Sequence, residues 1–437
     1  MEPNAAVRSR LTHSLEVSQL GRFIADEIGT RLQGKGMLDP LERVAFGNFV
    51  ETACILHDIG NPPFGHFGEA AIQKWFQDHG GEAVKSAVKL EKGDLGSGDL
   101  RLVGALADFH DFDGNPQGLR VIARLQWNSD KFGLNLTTTT LAACLKYIRK
   151  AGESPHGLFR KKAGYFTTEE SIVQFVWGKL GYQSPQRYPL AYIMEAADDL
   201  AYCISDLEDS IEKGLVHEAS AFEEVYEKFS ATSAPEGDAV RREIARALAA
   251  LKGHKRDDGK EFTYTDFRTS LNRAIVRYAA DRYVEKHDAV LSGTLESLLP
   301  TEEAPGAILN VLKTYCRENV YCHESIQRTE LAGYTAIRGM LDHFKPLLSV
   351  SRADFTEALT NSKNSARKGL LIEQKLLSLF PEKYIKVYVD YVSTLRTSDA
   401  DNFSEWNARA HLVVDYIAGM TDDFAMTSYR TLAGMRV

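Results

Sequence analysis

The chain has 437 residues, of which 44% are hydrophobic and 26% are charged, a balance that is ordinary for a globular protein of one or two domains. Its net charge of −8 argues against a protein that coats nucleic acid. No stretch approaches the roughly 18 apolar residues of a membrane span, and the start of the chain lacks a signal-peptide pattern, so we expect no membrane association. Five widely spaced cysteines without a C-x-x-C pair indicate a reducing compartment, and we predict a cytoplasmic location.

Helical periodicity dominates the chain from its beginning. Apolar residues three and four apart predict a helix over residues 17–32, with His13 near its start. A second apolar stripe over 46–54 leads directly to His57, and a third covers 193–211. Strand-like alternation is scarce, so we predict an all-α protein. Further helices are predicted at 239–252, 305–315, 329–348 and 405–420, and polar, glycine-rich surface loops at 91–99, 151–165 and 252–260.

The strongest chemical signal is the adjacent pair His57-Asp58. It ends an apolar helical run, which places two metal ligands at one helix terminus. A turn rich in glycine and proline follows, and it delivers His66 and Glu69. Structure alone rarely requires this combination, whereas hydrolysis assisted by a metal ion does.

Two further points on predicted helices offer metal ligands. One is His13, and the other is the acidic pair Asp198-Asp199. A lone histidine near an apolar stripe is more often a packed core residue, so the case for His13 depends on its partners. Imidazole and carboxylate together suit Mn, Fe, Co, Ni or Zn and, less readily, Mg.

These motifs occur in an order that resembles known enzymes. Arg10-Leu11-Thr12-His13-Ser14, His57-Asp58 and the distal Asp198 resemble the H…HD…D signature of the HD superfamily. Longer segments resemble bacterial dGTP triphosphohydrolases over nearly the whole chain, namely 57–69, 112–118, 195–202, 331–334 and 415–422. The resemblance implies an HD-domain helical core with metal-dependent catalysis in residues 1–215. A helical accessory region, 216–437, would complete the nucleotide site and the oligomer contacts.

The resemblance also implies a ligand set. It makes His13, His57, Asp58 and Asp198 the ligands of one divalent metal ion per subunit, with Mn or Mg expected ahead of Co, Ni, Fe or Zn. In the family, Tyr and Asp follow the metal Asp by four and eight residues, and this spacing selects Asp198 over its neighbour. For the nearby carboxylates we prefer a solvated acidic helix surface; these are Asp199, Glu208 and Asp209.

The implied reaction is hydrolysis at the α-phosphorus of a deoxynucleoside triphosphate, with dGTP favoured, to deoxynucleoside and intact triphosphate. His66 is the implied catalytic histidine and Glu69 its partner, which would fix the imidazole tautomer. His66 would protonate the departing 5′ oxygen or align the attacking water, and the sequence leaves both roles open. The alternative interpretation is that residues 65–69 only begin a helix.

The resemblance implies substrate contacts at six positions. One of them, Tyr202, would lie under the ribose and would disfavour a 2′-hydroxyl group. A lysine in a polar loop such as Lys162 is usually only solvated, and the family's distal arginine fits either Arg367 or Lys368. The six positions are Arg10, Asn115, Lys162, Tyr202, Asp206 and Arg367.

One segment departs from the family pattern. Members usually carry an Arg-Arg-Leu…Lys-Thr-Gln-Val-Phe stretch before the element that Asn4-Ala5-Ala6-Val7-Arg8 matches here. This chain reaches that element at once. Three explanations stay open: the chain is truncated, its start is assigned too late, or the protein has lost the contact that a glutamine of this stretch makes to the sugar in the family.

Two alternative functions stay open on the sequence. The chain could be another HD-type nucleotidase or phosphodiesterase, or a catalytically weakened sensor of nucleotides or single-stranded DNA. The resemblance further implies a homohexamer, with single-stranded DNA or a deoxynucleoside triphosphate as effector.

Overall fold

The computed structural model describes residues 9–88, 96, 98–232, 238–251, 262–360, 369–396 and 398–435. Most of these residues are helical, so the all-α prediction is confirmed. The helices are α1 Arg10–Gly34, α2 Pro40–Leu56, α3 His66–Trp75, α4 Gly81–Ala87, α5 Leu100–His110, α6 Gly114–Arg120, α7 Thr138–Ala143, α8 Glu170–Lys179, α9 Pro189–Glu212, α10 Glu218–Ser230, α11 Ala239–Ala250, α12 Tyr264–Glu285, α13 His287–Leu291, α14 Ala304–Asn319, α15 Glu324–Ser349, α16 Arg352–Leu359, α17 Leu371–Leu377, α18 Glu382–Ser393, α19 Asp399–Ala418 and α20 Asp422–Leu432.

Short irregular elements connect some of the helices. Two π-helical turns, Phe76–Gly80 and Val121–Leu125, continue α3 and α6, and a 3-10 turn at Thr167–Glu169 precedes α8. Two short parallel strands, β1 Arg149–Lys150 and β2 Ala163–Tyr165, form a small sheet.

The loop prediction for residues 151–165 is wrong at its end. Its last three residues form β2 and are buried, and Gly164 lies so close to the carbonyl of Tyr147 that a Cβ atom would overlap it. The alternation of a three-residue strand is too short to register in the sequence. Most of the other two predicted loops lies outside the described residues.

The chain folds into two compact units, each assembled from separate segments. Unit 1 takes its described residues from Met1–Asp58, Thr138–Lys146 and Val176–Gln327. Unit 2 takes its described residues from Ile59–Thr137, Tyr147–Phe175 and Arg328–Val437. The functional division into residues 1–215 and 216–437 stays a prediction.

In unit 1, α1 packs against α2, α9 and α12. The apolar stripe predicted for α1 is fully buried, and so is most of the stripe of α9. A Cβ atom at Gly21 would overlap the sulfur of Cys54, so glycine permits the close approach of α1 to α2. This packing brings the start of α1, the end of α2 and the middle of α9 together.

Unit 2 has an aromatic core with a buried charged network beside it. Phe76 and Phe109 stack with ring centroids 4.3 Å apart, and Trp406 packs edge-on against both. Arg120 is buried and bonds to Asp415 and Glu169 at 2.8–3.0 Å, so each of these buried charges has a partner.

Two findings bear on the expected environment of the chain. Among the described residues, every helix is too short or too polar to traverse a bilayer. The five cysteines are all free thiols, and Cys54 and Cys203 are buried as predicted.

Candidate functional site

Three of the four predicted metal ligands converge in unit 1. His13 lies in the first turn of α1, His57 directly follows α2, and Asp198 lies in the middle of α9. Their ligand atoms all lie within 4.8 Å of one another, and within the described part of the chain they form the one such group of His, Cys, Asp or Glu side chains. The Oδ1 atom of Asp198 is 3.3 Å from His57 Nε2 and 3.7 Å from His13 Nε2.

Asp58 lies at the edge of this cluster. Its Oδ1 atom is 3.5 Å from His57 Nε2, but Asp58 is not a member of the group with mutual separations below 4.8 Å. The side chain is 36% exposed. The structure therefore places Asp58 beside the cluster, and its role as a ligand stays a prediction.

The hydrogen bonding of His57 suits a metal ligand. Its Nδ1 atom donates to the carbonyl of Cys54 at 2.7 Å, which leaves the lone pair on Nε2. That Nε2 atom is buried, and no described residue forms a well-aligned hydrogen bond with it. A buried imidazole lone pair beside an ionised carboxylate fits a divalent cation.

The charges in the cluster favour an anionic carboxylate. Burial alone would raise the pKa of Asp198, but Lys146 and the two imidazoles lower this pKa well below its ordinary value. Burial would likewise lower the pKa of His57, yet Asp198 and Asp58 raise it to about 9. The cluster therefore attracts positive charge, which a bound cation would supply in place of a proton.

Two lysines that the sequence did not single out lie beside the acidic pair of α9. Lys146 contacts Asp198 Oδ2 at 3.1 Å, opposite the oxygen that faces the histidines. Lys313 contacts Asp199 at 2.7 Å. The preference for a solvated surface at Asp199 is therefore wrong, because the residue is half-buried and ion-paired. Glu208 is likewise paired, with Arg268 at 3.0 Å, and the interpretation of Asp209 stays a prediction.

Tyr202 and Asp206 follow Asp198 by one and two turns of α9, as predicted. Tyr321 connects them, because its hydroxyl donates to Asp206 and lies 2.7 Å from the hydroxyl of Tyr202. Burial raises the pKa of Asp206, even though the tyrosine hydrogen bonds lower it. Tyr202 is 41% exposed, so its ring remains available to a ligand. Tyr321 was missed because nothing near it in the sequence indicates a distant partner.

His66 and Glu69 form the predicted pair in unit 2. Phe64 and Gly65 both have positive φ values, 62° and 55°, and this tight turn starts α3 at His66. Glu69 Oε2 lies 2.7 Å from His66 Nδ1, and Glu69 Oε1 accepts the N–H of Gly114 at 2.8 Å. The hydrogen bond from Glu69 raises the pKa of His66, although partial burial opposes it. The residues do begin a helix, as in the alternative interpretation, and they also form an acid–base pair.

Asn115 and Lys162 meet at one carboxylate in the same unit. Asp113 Oδ1 accepts from the side-chain amide of Asn115 at 2.5 Å, and Asp113 Oδ2 lies 2.6 Å from Lys162 Nζ. Burial alone would lower the pKa of Lys162, but Asp113 raises it, so the ammonium stays charged. Lys162 is thus ion-paired and not simply solvated.

Of the two arginines predicted to contact the substrate, the structure describes only one. Arg10 begins α1, one turn before His13, and is exposed. Arg367 lies outside the described residues, as does Lys368.

Two family models and several curated relatives match this chain. An HD domain model matches residues 10–148, and a phosphohydrolase-associated domain model matches residues 383–431. A deoxyguanosinetriphosphate triphosphohydrolase of Salmonella typhimurium is 37% identical over 99% of this chain and 88% of its own length. The chain belongs to the deoxyguanosinetriphosphate triphosphohydrolase family. A second relative of the same name, from Enterobacter sp. (strain 638), is 35% identical with the same coverage. The family resemblance inferred from the motifs is confirmed.

Proposed function

We propose that this protein hydrolyses deoxynucleoside triphosphates, dGTP above others, to deoxynucleoside and inorganic triphosphate in a metal-dependent reaction. The observation that carries the proposal is the His13–His57–Asp198 cluster, in a chain whose full-length relatives bear the name of this activity. Two imidazoles and an ionised carboxylate from three helices have no packing role that would require them to meet.

The cluster would hold the ion through His13, His57, Asp198 and, as the fourth ligand, Asp58. We propose Mn or Mg as the ion, with Co, Ni, Fe or Zn as further candidates, because the donors are nitrogen and oxygen atoms. A divalent ion there would neutralise phosphate charge and make water a better nucleophile. Lys146 keeps one oxygen of Asp198 occupied, so that the other faces the histidines.

His66 is the proposed catalytic residue, and Glu69 is its partner. Glu69 holds Nδ1 of the imidazole, so proton exchange takes place at Nε2. The His66 side chain is 83% exposed, which leaves it open to a substrate. A protonated His66 would donate to the departing 5′ oxygen, and a neutral one would orient the attacking water.

The proposed substrate contacts divide by chemistry. Arg10, Lys162 and Arg367 would neutralise the triphosphate, because guanidinium and ammonium groups form charge-assisted hydrogen bonds to phosphate oxygens. Tyr202 and Asp206 would meet the sugar, where the carboxylate of Asp206 would accept from the 3′-hydroxyl. Asn115 is the remaining contact of the six, supplied by the side-chain amide that Asp113 orients.

Other proposals concern the assembly and the location of the protein. We propose a homohexamer that single-stranded DNA or a deoxynucleoside triphosphate modulates, on the basis of the family resemblance. We also propose a cytoplasmic location, which the five free thiols support.

Product analysis tests the proposed function. The purified chain is incubated with each deoxynucleoside triphosphate and Mn²⁺, and the products are separated by ion-exchange chromatography. Deoxyguanosine and inorganic triphosphate are expected, and His66→Ala should slow the release of both by a factor of about 10²–10⁴. Release of pyrophosphate or orthophosphate instead would contradict the proposal and favour another HD-type phosphohydrolase. Nucleotide binding without any product would favour the sensor.

A further inference from the structure

The carboxylate of Asp113 holds two proposed substrate contacts at once. It lies just before α6 and is 7% exposed. One oxygen, Oδ1, accepts from the backbone N–H of Asn115 at 3.0 Å and from its side-chain amide at 2.5 Å. The other oxygen, Oδ2, lies 2.6 Å from Lys162 Nζ. The two oxygens therefore have separate tasks: Oδ1 caps α6 and holds Asn115, and Oδ2 pairs with Lys162.

The residue after Asp113 reaches the catalytic pair. The N–H of Gly114 donates to Glu69 at 2.8 Å, and the second oxygen of Glu69 holds His66. A Cβ atom at Gly114 would overlap the side-chain oxygen of Asn61, so a larger residue there would have to displace that side chain. The position of this turn, which the Asp113 cap fixes, therefore sets the position of Glu69.

The ion pair with Asp113 orders the side chain of Lys162 before a ligand binds. Its four-carbon side chain has many rotamers, and holding one of them costs conformational entropy. The ion pair with the buried Asp113 selects one arrangement before any ligand binds, so the cost does not reduce the binding affinity. A lysine without this partner would have to be ordered by the substrate itself.

The geometry points to Asp113 as a positioning residue that presents Lys162 and Asn115 to the triphosphate substrate and, through Gly114, steadies the Glu69–His66 pair. This inference rests on the proposed function for the identity of the substrate. The competing explanation is that Asp113 is only a helix cap. Asp99 caps α5 in the same way, accepting the N–H of Arg101 at 2.9 Å while pairing with its side chain at 2.7 Å. Asp99 is therefore a matched control.

Two substitutions separate the two tasks of Asp113. Asparagine caps a helix as well as aspartate does, so Asp113→Asn keeps the turn but presents an amide donor to the Lys162 ammonium. We expect about a tenfold weaker Kd for dGTP, measured by calorimetry in EDTA so that no turnover occurs, and a similar rise in KM with kcat almost unchanged. Asp113→Ala also removes the cap, so kcat should fall as well. Asp99→Asn and Asp99→Ala should leave Kd, KM and kcat unchanged.

A double substitution tests the route through the lysine. If Asp113 acts through Lys162, Asp113→Asn combined with Lys162→Met should bind dGTP no more weakly than Lys162→Met alone. Additive losses would overturn this route, and an unchanged Kd in Asp113→Asn would overturn the inference itself. The binding assay does not depend on hydrolysis, so dGTP binding that weakens in Asp113→Asn supports the inference even if no triphosphate is ever released. A wild-type chain that binds dGTP neither in EDTA nor with Mn²⁺ would refute both proposals.

Discussion

Replacing Glu69 with glutamine tests the proposed role of His66 with little change in shape. Each carboxylate oxygen of Glu69 accepts one hydrogen bond, one from Gly114 and one in the contact with His66. An amide has a single oxygen, so Glu69→Gln can keep only one of these bonds and loses the charge. A charge-assisted hydrogen bond contributes about 1.5–3 kcal/mol. The His66 side chain is 83% exposed, so solvent screening favours the lower end of this range. About 1.5 kcal/mol corresponds to a roughly tenfold decrease in kcat.

The pH dependence of the same variant identifies the role of His66. Because Glu69 raises the pKa of His66, removing its charge lowers that pKa. The limb of the kcat profile that reports His66 should therefore move to lower pH. If His66 acts as the acid, the alkaline limb moves; if it acts in the neutral form, the acidic limb moves. The assay is triphosphate release from saturating dGTP with Mn²⁺ between pH 5 and 10.

Controls for this experiment come from the same unit. Asp78→Asn removes a surface carboxylate that pairs with Lys74 and Arg338, and it should change neither kcat nor the profile. His66→Ala removes the catalytic imidazole itself, so it should give the largest decrease in kcat for this pair, about 10²–10⁴-fold. Glu69→Gln with the rate and profile of the wild type would refute the assignment of the pair.

Three further predictions follow from other residues. Tyr202→Ala should reduce the preference for dGTP over GTP by about tenfold, measured as the ratio of kcat/KM values, because an open sugar site no longer disfavours a 2′-hydroxyl; an unchanged ratio would contradict this role. Gly21→Val should lower the free energy of unfolding by about 2–3 kcal/mol in urea, since the new side chain overlaps Cys54, and full stability would contradict the close helix approach. Burial alone would raise the pKa of Asp108, but His411 lowers this pKa below its ordinary value. The ionised Asp108 therefore contributes to the free energy of unfolding above about pH 3.9, and this contribution is lost as the pH falls through the lowered pKa of the folded protein. Asp108→Asn should flatten the acid limb of Tm against pH, and an unaltered limb would exclude this contribution.

Much of the helical framework could be predicted from the sequence. The stripes of α1 and α9 were visible because one buried face repeats every three to four residues, and His57 was placed correctly because the stripe of α2 ends there. The convergence of His13, His57 and Asp198 could be expected only from the order of the family motifs, since periodicity does not show which helices pack together.

The contacts that were missed are all distant in sequence. Lys146 is 52 residues from Asp198, and Tyr321 is 115 residues from Asp206. Neither residue belongs to a local sequence motif, so the sequence around it does not indicate its distant partner. Asp113 lies within residues 112–118, which resemble the family, but its contact with Lys162 could not be predicted, because Lys162 lies in a segment whose composition is typical of a surface loop.

The most direct test of the metal centre is a calorimetric titration of the metal-free protein with Mn²⁺, carried out on the wild type and on His57→Ala. We expect one ion per chain in the wild type, and in the variant at least a hundredfold weaker binding, about 2.7 kcal/mol. Equal binding to both proteins would contradict the proposal that His13, His57, Asp58 and Asp198 hold the ion on which hydrolysis depends.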